Sequence, residues 1–310
     1  MKFPFQHSTS CEADMDLKSY LRERRELIDR TLDQLLPREQ DYPERLHSAM
    51  RYSLFAGGKR LRPILTLAGC EAVGGVLEYA LPMACAMEMI HTYSLIHDDL
   101  PAMDNDDMRR GVATNHKVFG EAAAILAGDA LLTHAFYVIP DPASSSVDDG
   151  KRLQIVREIA GAAGSMGMVG GQAVDILSEG KETIDLPILE YIHTHKTGAL
   201  IRTAVRVGAI VGGADEREMQ DLTEYGEKIG LAFQITDDLL DLLGDEKRLG
   251  KQVGSDLKKG KKTYPAVYGI KESESRAREL MESAVDALSQ FDHRADPLRE
   301  IARYMVERID

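Results

Sequence analysis

Two stretches of this chain carry so few charges that neither can form a helix exposed to water along its length. Residues 83–96 and 198–211 are apolar on nearly every face of a helix. Such a helix is stable only when other elements surround it in the protein interior. The remaining segments also follow helical periodicity, and no run shows the alternation of a strand bounded by turns. The sequence therefore predicts an all-α fold, a helical bundle with these two segments inside.

Proline and glycine residues set the expected limits of the helices, because proline starts a helix and glycine often ends one. Although 310 residues would allow two domains, no composition break divides the chain. We therefore predict a single domain at 15–310, preceded by a flexible leader at 1–14 and interrupted by a polar linker at 140–150. The predicted helices span 17–36, 43–55, 63–73, 77–99, 116–139, 152–178, 186–212, 215–243, 272–291 and 297–308.

Composition excludes several classes of partner. The formal net charge of −13 disfavours nucleic acid or an anionic membrane. No stretch contains the ~20 apolar residues that a spanning helix needs, so stable membrane insertion is not expected. The three cysteines lack the spacing of metal ligands, and the N-terminus lacks the apolar core of a signal peptide. A cytoplasmic location is the prediction.

Two groups of aspartates lie at the ends of apolar segments. Like charges packed together are unfavourable unless a cation lies among them. Mg²⁺ takes oxygen ligands, usually one or two carboxylates together with phosphate oxygens. In helical bundles, sites form between facing inner helices. We predict two acidic walls of one cavity, with Mg²⁺ ions (Mn²⁺ being the alternative) that hold a diphosphate. The predicted ligands are Asp98, Asp99, Asp104, Asp237, Asp238 and Asp241.

The two groups differ in spacing. Asp237 and Asp241 are one helical turn apart and share a face. Asp98 and Asp104 cannot meet in a regular helix, but Pro101 interrupts it, and a bend there could return Asp104 to the same ion.

Basic residues provide further candidate contacts to phosphate. Gly57 and Gly58 open a loop that carries Lys59, Arg60 and Arg62 just before a predicted helix N-terminus, a favourable place for an anion. This loop predicts a second diphosphate site that needs no metal. Arginine forks suit phosphate oxygens, and the neighbours Arg109 and Arg110 would point in different directions, towards different phosphates. A solvated basic loop is the alternative interpretation of the first group, and mere neutralisation of the neighbouring aspartates is the alternative for Arg109 and Arg110.

Six further residues are candidate contacts to a diphosphate or lie near the aspartates. His91 lies two helical turns before Asp98 and could donate to a diphosphate, although a packed core histidine is the alternative. Lys196 and Thr197 interrupt an apolar segment, where a buried lysine requires an anionic partner. Gln234 lies one turn before Asp238. Lysines after the second aspartate group, Lys251 and Lys261 among them, could close over a diphosphate.

Two diphosphate sites beside an apolar interior indicate two substrates with apolar chains. Diphosphate leaving an allylic carbon produces a carbocation, which an apolar cavity protects from water. The second substrate would attack this cation through its double bond and then lose a proton.

The residues that carry this pattern resemble a known family, the trans-isoprenyl diphosphate synthases, and most closely the bacterial farnesyl diphosphate synthases. The resemblance covers 17–308, and its motifs lie at 57–63, 88–111, 115–132, 195–200, 230–245 and 249–265. It implies a helical bundle of the isoprenoid synthase type around a deep central cavity, usually a homodimer with three Mg²⁺ ions per site. It also implies condensation of isopentenyl diphosphate with dimethylallyl or geranyl diphosphate.

The resemblance also implies a role for each matching position. Asp98 and Asp104, assisted by Asp99, would form the first metal site, and Asp237 with Asp238 and Asp241 the second. The contacts to isopentenyl diphosphate would be Lys59, Arg62, His91 and Arg110. The contacts to the allylic diphosphate or its developing cation, which form the catalytic set, would be Arg109, Lys196, Thr197, Gln234 and Lys251, with Lys261 a weaker candidate.

In this family, bulk on the helix before the first aspartates limits product length. Tyr93 lies about 7.5 Å before Asp98 along a helix axis, at ~1.5 Å per residue. Its ring could form the cavity floor and limit the product to farnesyl diphosphate, while the small Ser94 beside it could leave a side path. Geranylgeranyl diphosphate is the alternative product, and an ordinary core aromatic is the alternative interpretation of Tyr93.

Two other functions are compatible with such a fold. A terpene cyclase would be expected to have many aromatics, but the chain has no Trp and 6% aromatic residues. A cyclase also has no need for the basic loop. An inactive partner subunit of a synthase would be expected to lack acidic residues, and both groups here are complete.

Overall fold

The structure is a computed structural model that describes residues 15–140, 147–178, 186–243 and 263–307. The predicted leader at 1–14 lies outside these residues, as do Lys251 and Lys261. The domain limits therefore stay a prediction, whereas the all-α architecture is confirmed.

The first half of the chain contains most of the helices that surround the aspartates. In chain order the elements are α1 (Leu17–Leu35), α2 (Glu44–Leu54), α3 (Leu61–Ala72), α4 (Leu77–Asp98), β1 (Met108–Arg109), β2 (Val112–Ala113), α5 (Asn115–Phe119), α6 (Glu121–Val138) and α7 (Asp149–Ala163).

The second half contributes the other wall. Its elements are α8 (Met168–Ser178), α9 (Leu186–Ile192), a π-helical segment (His193–Gly198), α10 (Ala199–Gly212), α11 (Glu216–Leu243), α12 (Tyr264–Tyr268), α13 (Ile270–Ala287), a 3₁₀ turn (His293–Ala295) and α14 (Asp296–Glu307).

The interior of the bundle is built around α3, α4 and α10. Helix α10 packs most extensively against α3, and α4 packs against both. The crossing of α3 and α10 requires glycine, because a Cβ atom at Gly208 would lie 2.0 Å from the carbonyl oxygen of Thr66. Most residues of α4 and α10 are buried, so both predicted interior helices are confirmed.

The structure corrects several predicted limits. The segment 116–139 is two helices divided at Gly120, whose φ of 86° favours glycine. The segment 152–178 is divided into α7 and α8, and 186–212 contains a π-helical segment. Helix α3 begins two residues before Pro63, since proline is tolerated in a first helical turn.

A short antiparallel pair, β1 and β2, was not predicted. It is closed by Arg110 and Gly111, both with positive φ (53° and 81°), as a tight hairpin turn requires. Two-residue strands are too short for their alternation to be recognised in a sequence.

Within the described ranges, no helix combines the length and the apolar character that crossing a membrane requires.

Candidate active site

The first aspartate group forms where α4 ends. The chain turns back after Asp98, and the Asp104 amide donates a hydrogen bond of 2.8 Å to the Asp98 carbonyl oxygen. The bend expected at Pro101 therefore returns Asp104 beside Asp98. Burial raises the pKa of Asp98 to about 6; Asp104 and Asp99 act in the same direction, while Lys196 and Arg109 oppose it.

Arg109 and Arg110 diverge, as their adjacent positions predict. Arg109 donates to the buried carboxylate of Asp99, with its Nε and Nη2 atoms at 2.7 and 2.6 Å from Oδ1. Arg110 instead contacts the Gly57 carbonyl in the basic loop. The hairpin therefore provides one arginine to the first aspartate group and the other to the basic loop.

The three basic side chains of the loop have different environments. Arg60 is turned inward and 3% exposed, and its guanidinium donates at 2.8 Å both to Glu88 and to Asp29. Lys59 is exposed and Arg62 is partly exposed. Arg60 therefore holds the loop on the core, which leaves Lys59 and Arg62 as its candidate phosphate contacts.

Carboxylates on both aspartate-bearing helices affect the pKa of Arg62. Burial lowers its pKa to about 10; Glu88 and Asp237 oppose this shift, and Arg110 adds to it. Glu88 is on α4 and Asp237 on α11, so Arg62 interacts electrostatically with both helices that carry the aspartate groups.

His91 faces the same basic residues. Its burial, with Arg62 and Arg110 the next causes, lowers its pKa well below the ordinary value of 6.5. The imidazole is therefore neutral at pH 7, and a neutral imidazole offers one N–H donor.

The second aspartate group is more deeply buried than a solvated helix end would be. Asp238 is 5% exposed and Asp241 is 3% exposed, while Asp237 is partly accessible. Asp238 accepts hydrogen bonds from Gln234 Nε2 at 3.0 Å and from the amide of Tyr264 at 2.9 Å.

The π-helical segment brings Lys196 and Thr197 to this region. Lys196 Nζ pairs with Asp175 of α8 at 2.7 Å, and its charge also lowers the pKa of Asp98. Thr197 donates to Gln234 Oε1 at 2.8 Å. The lysine therefore has a protein partner and also acts on the first aspartate group.

The residues proposed to limit product length lie on α4 as predicted. Tyr93 is 6% exposed, and its ring meets that of His97 edge-on at 5.7 Å between centroids. Burial raises the pKa of Tyr93, with Asp98 adding to the shift. Ser94 donates to the carbonyl oxygen of His91 at 2.8 Å.

Charge interactions link these elements: Lys196 and Arg109 lower the pKa of Asp98, Asp237 raises that of Arg62, and Arg62, Arg110 and Arg109 lower that of His91. Carboxylates, cations and a neutral imidazole thus converge from α3, α4, the hairpin, the π-helical segment and α11. Such a set can bind anions and divalent cations together.

Comparison with known proteins finds similar chains over nearly the whole length of this one. The family model for polyprenyl synthetase matches residues 43–303. A geranylgeranyl diphosphate synthase of Cyanophora paradoxa is 49% identical over 96% of this chain and 98% of its own length. A farnesyl diphosphate synthase of Geobacillus stearothermophilus is 47% identical over the same shares.

The chain belongs to the polyprenyl synthetase family. A solved structure of an FPP/GFPP synthase from Zymomonas mobilis superposes with a TM-score of 0.85, at 40% identity, over 95% of this chain and 100% of that one. The helical bundle is thus that of prenyl synthases, and trans-prenyl diphosphate synthesis is the class of activity.

The aspartates fit the magnesium requirement that is general in this polyprenyl synthetase family. Their donors are oxygen atoms, which Mg²⁺ prefers. Among the described residues, no three His, Cys, Asp or Glu side chains lie close enough to hold an ion alone. That arrangement suits a cation that a few carboxylates share with substrate phosphate oxygens.

Sequence reasoning missed several residues that hold the site together. Glu88 and Asp175 each neutralise a basic residue of the site, and His193 lies 3.4 Å from a carboxylate oxygen of Asp238. For Glu88 and Asp175, the sequence signal of a functional role was a single carboxylate within an otherwise apolar helical segment. For His193, the only such signal was its position three residues before Lys196.

The ion pair of Arg60 and Glu88 gives a stability prediction. Glu88→Ala leaves the Arg60 guanidinium buried without its most buried partner, which should lower the free energy of unfolding by about 3–5 kcal/mol. Urea denaturation followed by circular dichroism measures this loss.

Glu78→Ala is the matched control, because Glu78 lies on the same helix and is exposed. It should change the free energy of unfolding by less than about 0.5 kcal/mol. Equal effects of the two substitutions would contradict a role for the buried pair.

Proposed function

We propose that this chain is a cytoplasmic short-chain prenyltransferase that condenses isopentenyl diphosphate with dimethylallyl and geranyl diphosphates, to give farnesyl diphosphate. The convergence of Lys196, Asp98, Arg62 and Asp237 in one charged space supports it most directly. Such a space accommodates two diphosphates, one beside the carboxylates and one beside the basic loop.

Isopentenyl diphosphate binds to the basic side of this space. Lys59 and Arg62 come from the loop, Arg110 from the hairpin and His91 from α4. Burial among like charges lowers the pKa values of Arg62 and Arg110. A bound diphosphate would relieve that repulsion, which favours binding without a metal.

The allylic diphosphate binds to the acidic side. Its metal ligands are Asp98 and Asp104, assisted by Asp99, and Asp237 with Asp241. Asp238, also a predicted ligand, is already hydrogen-bonded to Gln234 and to the Tyr264 amide. Three Mg²⁺ ions, for which Mn²⁺ is the alternative, would neutralise charge on the diphosphate when bound and make it a better leaving group. Its direct protein contacts are Arg109, Lys196, Thr197, Gln234 and, from outside the described residues, Lys251 and Lys261.

The protein positions the two substrates and excludes water from the reaction, and it forms no covalent intermediate with them. Lys196 and Arg109 hold the departing diphosphate, while the oxygens of Thr197 and Gln234 lie near the developing cation. The apolar residues of α4 and α10 exclude water from that cation. The proton lost after condensation passes to the departing diphosphate.

Incubation with pure substrates tests this function. The chain, Mg²⁺ and isopentenyl diphosphate are combined separately with five-, ten- and fifteen-carbon allylic diphosphates, and the products are separated by chromatography. We expect the five- and ten-carbon substrates to give farnesyl diphosphate, since Tyr93 closes the cavity.

Other outcomes identify the alternatives. Efficient extension of the fifteen-carbon substrate would identify a geranylgeranyl diphosphate synthase, an activity that the name of the Cyanophora relative equally supports. Consumption of an allylic diphosphate without isopentenyl diphosphate would indicate a cyclase. Inactivity with every substrate would indicate an inactive partner subunit.

Tyr93→Ala tests the cavity floor. A clash of a longer chain with the ring is worth about 1–3 kcal/mol, so its removal should raise the ratio of twenty- to fifteen-carbon product roughly tenfold or more. Product chromatography with geranyl diphosphate as the starter measures this ratio.

Tyr79→Ala is the control, because Tyr79 is a tyrosine at the other end of α4. It should leave the product ratio unchanged. An unchanged ratio in Tyr93→Ala would show that the ring does not limit chain length.

We further propose that two copies associate as a homodimer through α6. Ile125, Leu126 and Tyr137 expose 43%, 56% and 75% of their surface on this helix, an apolar face of the kind that marks protein interfaces. An interface between two copies of this chain would cover it.

Leu126→Glu should place a charge in this interface and convert the dimer to a monomer at micromolar concentration, as measured by sedimentation velocity. Val76→Glu, at a residue 48% exposed before α4, should leave the dimer intact. A monomeric unmodified chain, or a dimeric Leu126→Glu variant, would exclude this interface.

A further inference from the structure

The side-chain oxygens of Asp238 are already hydrogen-bonded to protein groups, unlike those of a carboxylate that is open to a metal ion. Its Oδ1 atom accepts a hydrogen bond from Gln234 and its Oδ2 atom accepts one from the Tyr264 amide. The imidazole Nε2 of His193 lies 3.4 Å from the same Oδ2 atom. Both oxygens are thus engaged by protein groups from three elements, and the side chain is 6% exposed.

These contacts fix the direction of a chain of hydrogen bonds. The amide nitrogen of Gln234 donates to Asp238, so the amide oxygen of Gln234 faces the other way. That oxygen lies 2.8 Å from Thr197 Oγ1, which therefore donates its single hydrogen to Gln234. The remaining lone pairs of the Thr197 oxygen are then available to a bound group.

The same carboxylate also anchors the π-helical segment. Such segments are energetically less favourable than α-helix and occur mainly as single turns at functional sites. Here the segment contacts Asp238 directly near its beginning, through His193, and indirectly near its end, through Thr197 and Gln234. Lys196, whose Nζ atom pairs with Asp175, lies between these two contacts.

We propose that Asp238 is a positioning residue rather than a metal ligand. It holds the π-helical segment against α11 and sets the Thr197 hydroxyl so that its oxygen lone pairs, and not its hydrogen, face the developing cation. The second half of this inference rests on the proposed function. Asp237 and Asp241 remain the metal ligands of the second group.

Asp238→Asn tests the direction of the hydrogen bonds. Asparagine keeps an oxygen for the Tyr264 amide but presents an NH₂ group to Gln234, so the Gln234 amide must reverse. Thr197 must then accept from Gln234, which turns its hydrogen towards the substrate. We expect kcat to fall roughly 100-fold, the size of effect seen when one preorganised polar group is lost. KM values and the Mg²⁺ concentration at half-maximal rate should stay within about twofold.

Two matched variants separate positioning from metal binding. Asp237→Asn, one residue away, should raise the half-saturating Mg²⁺ concentration. In a Thr197→Val background, which lacks the hydroxyl, Asp238→Asn should change kcat by less than about twofold, because residues that act through one another are not additive.

A metal-free measurement tests the anchoring without turnover. Hydrogen exchange of the backbone amides of residues 193–198 and 264 should become faster in Asp238→Ala than in the unmodified chain, and stay unchanged in Asp237→Ala. If the alanine variant does not fold, the comparison uses Asp238→Asn and is limited to residues 193–198, because asparagine keeps an acceptor for the Tyr264 amide while its contact with Gln234 must rearrange.

Opposite results would overturn the inference. These are a rise in half-saturating Mg²⁺ for Asp238→Asn equal to that of Asp237→Asn, an equal loss of kcat with and without the Thr197 hydroxyl, or unchanged amide exchange. If the unmodified chain forms no product at all, the proposed function fails, while the exchange data still decide whether Asp238 anchors the segment.

Discussion

The cost of burying charge controls the organisation of this site. Moving an ion out of water costs several kcal/mol unless a partner lies beside it. Three ion pairs in the described part of the chain follow this rule: Arg60 with Glu88, Asp99 with Arg109 and Lys196 with Asp175. Each pair ties a loop, a hairpin or a distorted helix to the apolar bundle, so the groups that meet the substrate are held on a rigid frame.

This constraint explains how the proposed function is compatible with a net charge of −13. Cations gather around His91, and carboxylates gather at the ends of α4 and α11. In the proposed function, side chains would neutralise one diphosphate and metal ions the other, and the apolar residues of α4 and α10 would surround the hydrocarbon chains.

Much of this arrangement could be predicted from local sequence. The two charge-poor segments are interior helices, proline and glycine lie at helix ends, and the return of Asp104 follows from Pro101. The parts that could not be predicted depend on distant contacts. Arg60 is inward because Asp29 and Glu88, 31 and 28 residues away in sequence, meet it. Asp237 and Asp238 are the same residue type, and Asp238 is contacted by the Tyr264 amide and by His193, which are distant in sequence. A π-helical turn has the composition of an ordinary helix, so periodicity does not reveal it.

In the proposed function, both aspartate groups bind divalent ions that contact one diphosphate. Calorimetric titration of the chain with inorganic pyrophosphate, at several Mg²⁺ concentrations, tests this shared metal site most directly. Binding of the two ligands should be mutually dependent, because each raises the affinity of the other. Asp98→Asn and Asp237→Asn should each remove most of this dependence, and Asp129→Asn, at an exposed residue of α6, should not. The basic loop should bind one pyrophosphate without Mg²⁺. Binding of a second pyrophosphate that is independent of Mg²⁺, or whose Mg²⁺ dependence rests on only one aspartate group, would contradict a metal site shared by both groups.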